Sequence, residues 1–216
     1  MIDYAFAGIF AIVYGFFIAF AGEKIIDFLM LRKRYDLTFP DDIYIRGKNR
    51  KPFLFILGAF SSFFMILLLE PLTLVFALIF ASCLILVTRT DMEQYMIFDL
   101  TLLPYFILAF PAIFFLNLPL KSHIIAAAAL FLIMFFFAVI SRGGIGGGDV
   151  KLLALIGLWM GPDLALLTFA SGAFFGGVFS IILLLTKRRE KGGYFAYGPF
   201  FTISALVILT VVGFQG

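Results

Sequence analysis

Apolar blocks of bilayer-crossing length, about 17 to 25 residues for a helix, alternate along this chain with short polar breaks. They lie near residues 4–22, 53–69, 72–88, 99–118, 122–140, 149–161, 163–185 and 198–214. The pattern predicts an all-α integral membrane protein, a polytopic bundle of about eight transmembrane helices forming one membrane-embedded domain over residues 1–216. Its one sizeable polar stretch is a polybasic loop at 23–52. Glu70-Pro71 joins the second and third blocks, Pro119 marks the turn between the fourth and fifth, and Gly161-Pro162-Asp163 separates the sixth from the seventh. Breakers of this kind predict tight helical hairpins. The sixth block is short for a crossing, so it is expected to tilt or to begin in a water-filled cavity. The first block follows no basic n-region and shows no convincing cleavage site, which predicts a retained helix.

The cations orient this pattern. Lys24, Arg32, Lys33, Arg34, Arg46, Lys48, Arg50 and Lys51 fall in the first break, Arg89 in the third, Arg142 and Lys151 in the fifth, and Lys187, Arg188, Arg189 and Lys191 in the seventh. Only Lys121 falls on the other side. Because Lys and Arg collect in cytoplasmic loops, both termini are expected outside and the odd-numbered breaks inside. The 23–52 loop then reads chiefly as a solvated face against an anionic leaflet, with substrate contact the lesser reading.

Composition removes the soluble classes. The chain is 63% hydrophobic with 31 Phe and only 13% charged residues, and its mean hydropathy of +1.14 lies far above the globular average. Trp159 and the many Phe read as lipid-facing or packing residues, and Gly172 and Gly176, with Ser180 a turn on, as a close helix contact. Cys83 is the single cysteine, so neither a disulfide nor Cys-ligated zinc is expected. His123, the single histidine, sits beside Lys121 on the outer side and reads as a bystander. No metal, cofactor or nucleic acid is implied.

Charges at membrane depth are costly, which makes intramembrane acids functional candidates. Asp91 and Asp149, 58 residues apart, occupy two cytoplasmic breaks. The first runs from Thr88 to Asp99 and also holds Glu93. The second, Gly143-Gly144-Ile145-Gly146-Gly147-Gly148-Asp149, places five glycines before its acid. Glycine permits close backbone approach, suiting an extended peptide held against a carboxylate or, equally, a hinge or tight helix contact. Two carboxylates sharing one water can hydrolyse a peptide: the ionised group takes the water's proton while the protonated partner polarises the carbonyl. Like charges that close hold a single proton between them near neutral pH.

Asp91, followed by Ile97 and Asp99, and Gly146-Gly147-Gly148-Asp149, followed by Lys151-Leu152, together resemble the motifs of the type IV prepilin and preflagellin peptidases, GxGD membrane aspartyl proteases. Tyr197-Gly198-Pro199-Phe200 is similar to that family's late Gly-Pro-Phe element, and the likeness covers most of residues 72–214. It implies an endopeptidase in the cell membrane whose catalytic Asp91 and Asp149 cut the basic leader from a prepilin-like precursor (type IV pilin, pseudopilin or archaellin) at the cytoplasmic face. Gly146 and Gly148 would then lie against the substrate, with Asp99 and Glu93 available to the leader's cations and Lys151 beside Asp149. Phe98 stands where the family usually has Pro. Bifunctional relatives carry paired CxxC motifs in a larger first loop, and their absence here makes N-methyltransferase activity doubtful.

Three other readings are weaker. Tyr35-Asp36 offers the Tyr-Asp dipeptide of presenilin-like proteases, but in a polar loop. A small secondary transporter would use Asp91 and Asp149 for cation or proton coupling, yet the halves show no self-similarity and both acids sit at one face. A catalytically dead pilus-assembly scaffold is the third.

Overall fold

A computed structural model describes residues 4–141, 145–186 and 196–214. Among these, all regular structure is helical: α1 (Tyr4–Arg32), a 3-10 turn (Arg34–Asp36), α2 (Ile43–Gly47), α3 (Arg50–Leu68), α4 (Pro71–Gln94), α5 (Asp99–Phe115), α6 (Leu120–Ile140), α7 (Gly147–Leu185) and α8 (Gly198–Val212). Five helical stretches are long and apolar enough to cross a membrane, while α5 and α8 are shorter apolar helices. Arg142, Gly143, Gly144 and the basic run Lys187, Arg188, Arg189 and Lys191 lie outside the described residues.

The apolar pattern located the elements, but one boundary moved. α1 does not stop where its apolar block ends; it continues through the expected loop to Arg32. Glu23 and Asp27 are four residues apart and so share one helix face, where they meet Lys51 (3.0 Å) and Arg50 at the start of α3. The added turns also bury Ile26, Leu29 and Met30, and that burial, more than the exposed ion pairs, carries the helix past its first apolar block. The sixth and seventh blocks form α7, broken where Gly161 takes φ 70 and ψ −179 ahead of Pro162. That backbone is open to glycine and strained for other residues, and it turns the chain back as the expected hairpin requires: Phe169 and Ala173, after the break, line the same cavity as Asp149 before it.

Small residues set how closely the helices approach. A Cβ on Gly157 would lie 2.8 Å from the backbone of Ala126 and Ala127, so α6 and α7 touch main chain to main chain. Gly15 and Gly58 do the same for α1 and α3, and Gly172 and Gly176 receive the Phe201 and Tyr197 rings at α8. The first half of α7 is enclosed: from Val150 to Gly161 only Lys151 is exposed. Phe80 stacks on Trp159 at 4.8 Å, and the indole donates to the Tyr105 carbonyl at 2.9 Å. A helix apolar all round belongs inside a bundle, and this position explains how so short a block is accommodated. Trp159 is thus a packing residue, whereas most large apolar side chains of α1, α5 and α6 face outward.

Candidate active site

Three chain segments meet at one end of the bundle: the last turn of α4, the first turn of α7 and the first turn of α8. Asp91 sits in the first of these, 5% exposed. Its Oδ2 accepts the Gly198 N–H at 3.0 Å. Gly198 opens α8, and the first N–H groups of a helix have no partner within it, so Asp91 caps α8 from another helix. A Cβ at residue 198 would lie 2.7 Å from that same oxygen. One turn back, Thr88 and Thr202 hydroxyls meet at 2.6 Å, fixing α4 against α8.

α4 ends at Tyr95, whose left-handed backbone (φ 53) reverses the chain while its N–H returns to the Asp91 carbonyl at 2.8 Å. The reversal delivers Ile97 between the two glycine surfaces: a Cβ on Gly148 would lie 2.9 Å from the Ile97 Cβ, and one on Gly198 would lie 3.3 Å from its Cδ1. Ile97 is therefore a buried spacer setting the separation of the helix ends that carry Asp91 and Asp149. Replacing Gly198 with Ala is expected to push the Asp91 carboxylate off its N–H and lower activity more than stability, measurable as a fall in turnover of a protein that still purifies folded.

Asp149, in the first turn of α7, is half-buried, and its N–H bonds the Gly146 carbonyl at 3.1 Å. Tyr197 shares a cavity wall with Asp149 while its neighbour Gly198 bonds Asp91, and Ile97 packs on both Gly148 and Gly198, so the two acids flank one junction. The Asp149 Oδ1 is buried without a hydrogen-bond partner among the described residues, as are Thr101 Oγ1 and His123 Nε2; of the three, only Asp149 carries an acid that also lines a cavity. Beside it opens a cavity of about 270 Å³ whose wall is apolar, formed by Met134 and Phe137 of α6, Phe169 and Ala173 of α7, and Tyr197 and Phe201. Gly146 is exposed, a Cβ there lying 3.5 Å from Asp149 Oδ2, and Gly148 is packed on Ile97.

The remaining expected contacts lie elsewhere. Glu93 is 2% exposed and committed to two buried guanidiniums, accepting from Arg50 at 2.6 Å and also from Arg89. Its orientation has a simple cause: two residues along a helix from Asp91, a side chain points to the opposite side, here into the protein. Lys151 donates to both oxygens of Asp99 at 2.7 Å, an exposed pair. Lys151 follows Asp149 by two residues and so also faces away from it. His123 is fully buried, its Nδ1 2.8 Å from the Leu158 carbonyl, and Leu158 lies about 13 Å along α7 from Asp149 at 1.5 Å per residue. Among the described residues, no three His, Cys, Asp or Glu side chains come together as a metal-binding group.

The sequence had not revealed the Arg50–Glu93–Arg89 cluster or the main-chain bond from Gly198. Arg89 and Glu93 stand at i and i+4, a spacing that pairs charges on a helix, which was the available signal. The fold also folds the 33–49 segment onto α4: Gln94 exchanges hydrogen bonds with the Phe39 backbone at 2.9 and 3.2 Å, and Arg89 donates to the Arg46 carbonyl at 2.8 Å.

Residues 77–181, which hold both aspartates, match the Type IV leader peptidase family. The chain is 35% identical over 126 residues to the prepilin leader peptidase/N-methyltransferase of Bacillus subtilis (strain 168), covering 57% of this chain and 50% of that one. It is 33% identical over 98 residues to the protein of that name from Neisseria gonorrhoeae (43% and 32% covered) and 31% identical over 141 residues to that of Dichelobacter nodosus (62% and 48% covered). The chain thus spans about half or less of the length of these curated relatives. No solved structure matches.

Proposed function

We propose, from the match of residues 77–181 to the Type IV leader peptidase family, that the chain is a member of that family and a membrane aspartyl endopeptidase removing the basic leader from prepilin-like precursors, with Asp91 and Asp149 as the catalytic pair. The observation that carries this reading is the meeting of the helix ends that bear two carboxylates from distant parts of the chain, one of them with an unpartnered buried oxygen beside an apolar cavity. One carboxylate takes a proton from water while the other, protonated, polarises the scissile carbonyl. The Gly198 N–H fixes the rotation of the Asp91 carboxylate, so its free oxygen is the one presented to the substrate. The apolar cavity accepts a hydrophobic side chain flanking the cut, and the exposed glycines at 146 and 147 let an extended peptide approach Asp149 closely.

The whole chain acts as one membrane-embedded domain. Counting the two halves of α7 separately and α2 with α3 as one, the helices make eight crossings of the cell membrane. The distribution of Lys and Arg puts the site on the cytoplasmic face. There the precursor's basic leader would reach the aspartates while its apolar helix stays in the bilayer.

The test is the purified full chain in lipid nanodiscs, given a prepilin with a Lys/Arg-rich leader ending in Gly and S-adenosylmethionine, with products read by mass. The expected result is a single cut after the leader and a mature product carrying no added methyl group, because the first loop lacks the cysteine framework. Absence of cleavage on pilin, pseudopilin and archaellin precursors alike would overturn the proposal; a methylated product would overturn its peptidase-only part.

A further inference from the structure

A second cavity, about 460 Å³, opens on the other side of α7, between the end of α1 and the start of α5. Arg32, Lys33 and Lys151 line it together with Asp99. Lys33 is paired with Asp36 at 3.1 Å and Lys151 with Asp99 at 2.7 Å. Arg32, at the last position of α1, has no carboxylate partner among the described residues; its guanidinium lies 5.9 Å from the Phe28 ring centroid. Three cations thus face two acids, and both ion pairs are exposed enough to exchange a carboxylate for another anion. The rest of the wall is apolar, including Leu100, Leu103 and Phe106.

That apolar wall continues. Leu100, Leu103, Ile107, Phe110 and Phe114 are all exposed along α5, at the three- and four-residue spacing of one helix face. A cationic pocket at the helix ends therefore opens onto an outward apolar stripe running down the bundle. We propose that this groove binds one anionic phospholipid, its phosphate held by Arg32, Lys33 and Lys151 and an acyl chain lying along the α5 stripe. Arg presents a fork that fits phosphate oxygens bidentately, and each Lys has three donors, of which its carboxylate does not use all. The same charge excess disfavours a Lys/Arg-rich leader, so the pocket is no extension of the peptide site. The proposal needs only that the helices lie in a bilayer and is independent of the peptidase reading.

The full chain in detergent is titrated with phosphatidylglycerol, with phosphatidylcholine and with inorganic phosphate, and bound lipid is counted by native mass spectrometry alongside the thermal midpoint. Phosphatidylglycerol should bind and stabilise, phosphatidylcholine much less, and phosphate alone should do neither. Arg32→Gln is expected to weaken binding about fivefold, and Arg32→Gln with Lys33→Gln roughly twentyfold or more, since each interfacial cation contributes at that level. Leu103→Ser should also weaken it with the charges intact. Arg34→Gln removes a neighbouring exposed cation that does not line the cavity and should bind as wild type. Equal loss in Arg34→Gln, undiminished binding in the double variant, equal retention of phosphatidylcholine, or full occupancy by phosphate alone would each overturn the site.

Discussion

Asp91→Asn and Asp149→Asn should each reduce leader cleavage by roughly 10²- to 10⁴-fold, the range expected for losing an acid–base partner, while the protein still inserts and purifies. The folded state tolerates the changes for local reasons. An Asn at 91 keeps an oxygen to accept the Gly198 N–H, so the α4–α8 junction is retained. At 149 the substituted position already includes an unpartnered oxygen, so no existing bond through Oδ1 is lost. What each change removes is the shared proton. Two groups that work only as a unit give strongly non-additive losses, so the double variant should be little slower than either single one. Cleavage by wild type should follow two apparent ionisations belonging to the pair, and EDTA should leave it unchanged. Initial rates for the four proteins, with and without EDTA, are the measurement. Substantial cleavage by either single variant would remove the pair from the mechanism; coupled ion flux lost in these variants, with no proteolysis in wild type, would establish the transporter instead.

Apolar blocks made the helices legible in the sequence because in a bilayer the length of a crossing is written directly in hydrophobicity. The candidate site was legible for the same reason, since an acid in such a chain stands out. What the pattern did not reveal was governed by pairing between distant segments. α1 runs on to Arg32 because Ile26, Leu29 and Met30 find buried places against distant helices, and Glu23 and Asp27 find Lys51 and Arg50 in α3, partners that no local window contains. Glu93 looked like a free acid because its counter-ion Arg50 lies 43 residues earlier. The sequence placed Ile97 and Gly198 in motifs, yet their roles as spacer and hydrogen-bond donor depend on three helix ends meeting. Lys151 stood beside Asp149 in sequence, but helical rotation turns it to the opposite side of α7, where it pairs with Asp99 at the start of α5.

Glu93→Ala should be the most destabilising single substitution near the site, at about 3–5 kcal/mol, because it strands two buried guanidiniums. Glu93 is bound by Arg50 through Nη2 at 2.6 Å and through Nε at 3.0 Å, and by Arg89 from one turn back. The three side chains are 8% exposed or less. Arg50 also reaches Asp27, but that carboxylate is 53% exposed, so solvent screening leaves it little weight; Asp27→Asn should change stability by well under 1 kcal/mol. Glu93→Gln keeps the shape and loses the charge, and should fall between the two. A combined Arg50→Met and Glu93→Ala variant should be less damaged than the sum of its parts, since groups in one network couple. Thermal midpoints of the four variants in one detergent measure this, and the Michaelis constant for a basic-leader substrate separates the two roles open to Glu93. A cluster that holds the end of α4 in place predicts a lower midpoint and lower turnover with the Michaelis constant nearly unchanged. A leader contact predicts the reverse: an unchanged midpoint, with a Michaelis constant that rises in Glu93→Gln as the leader's cations lose their acid.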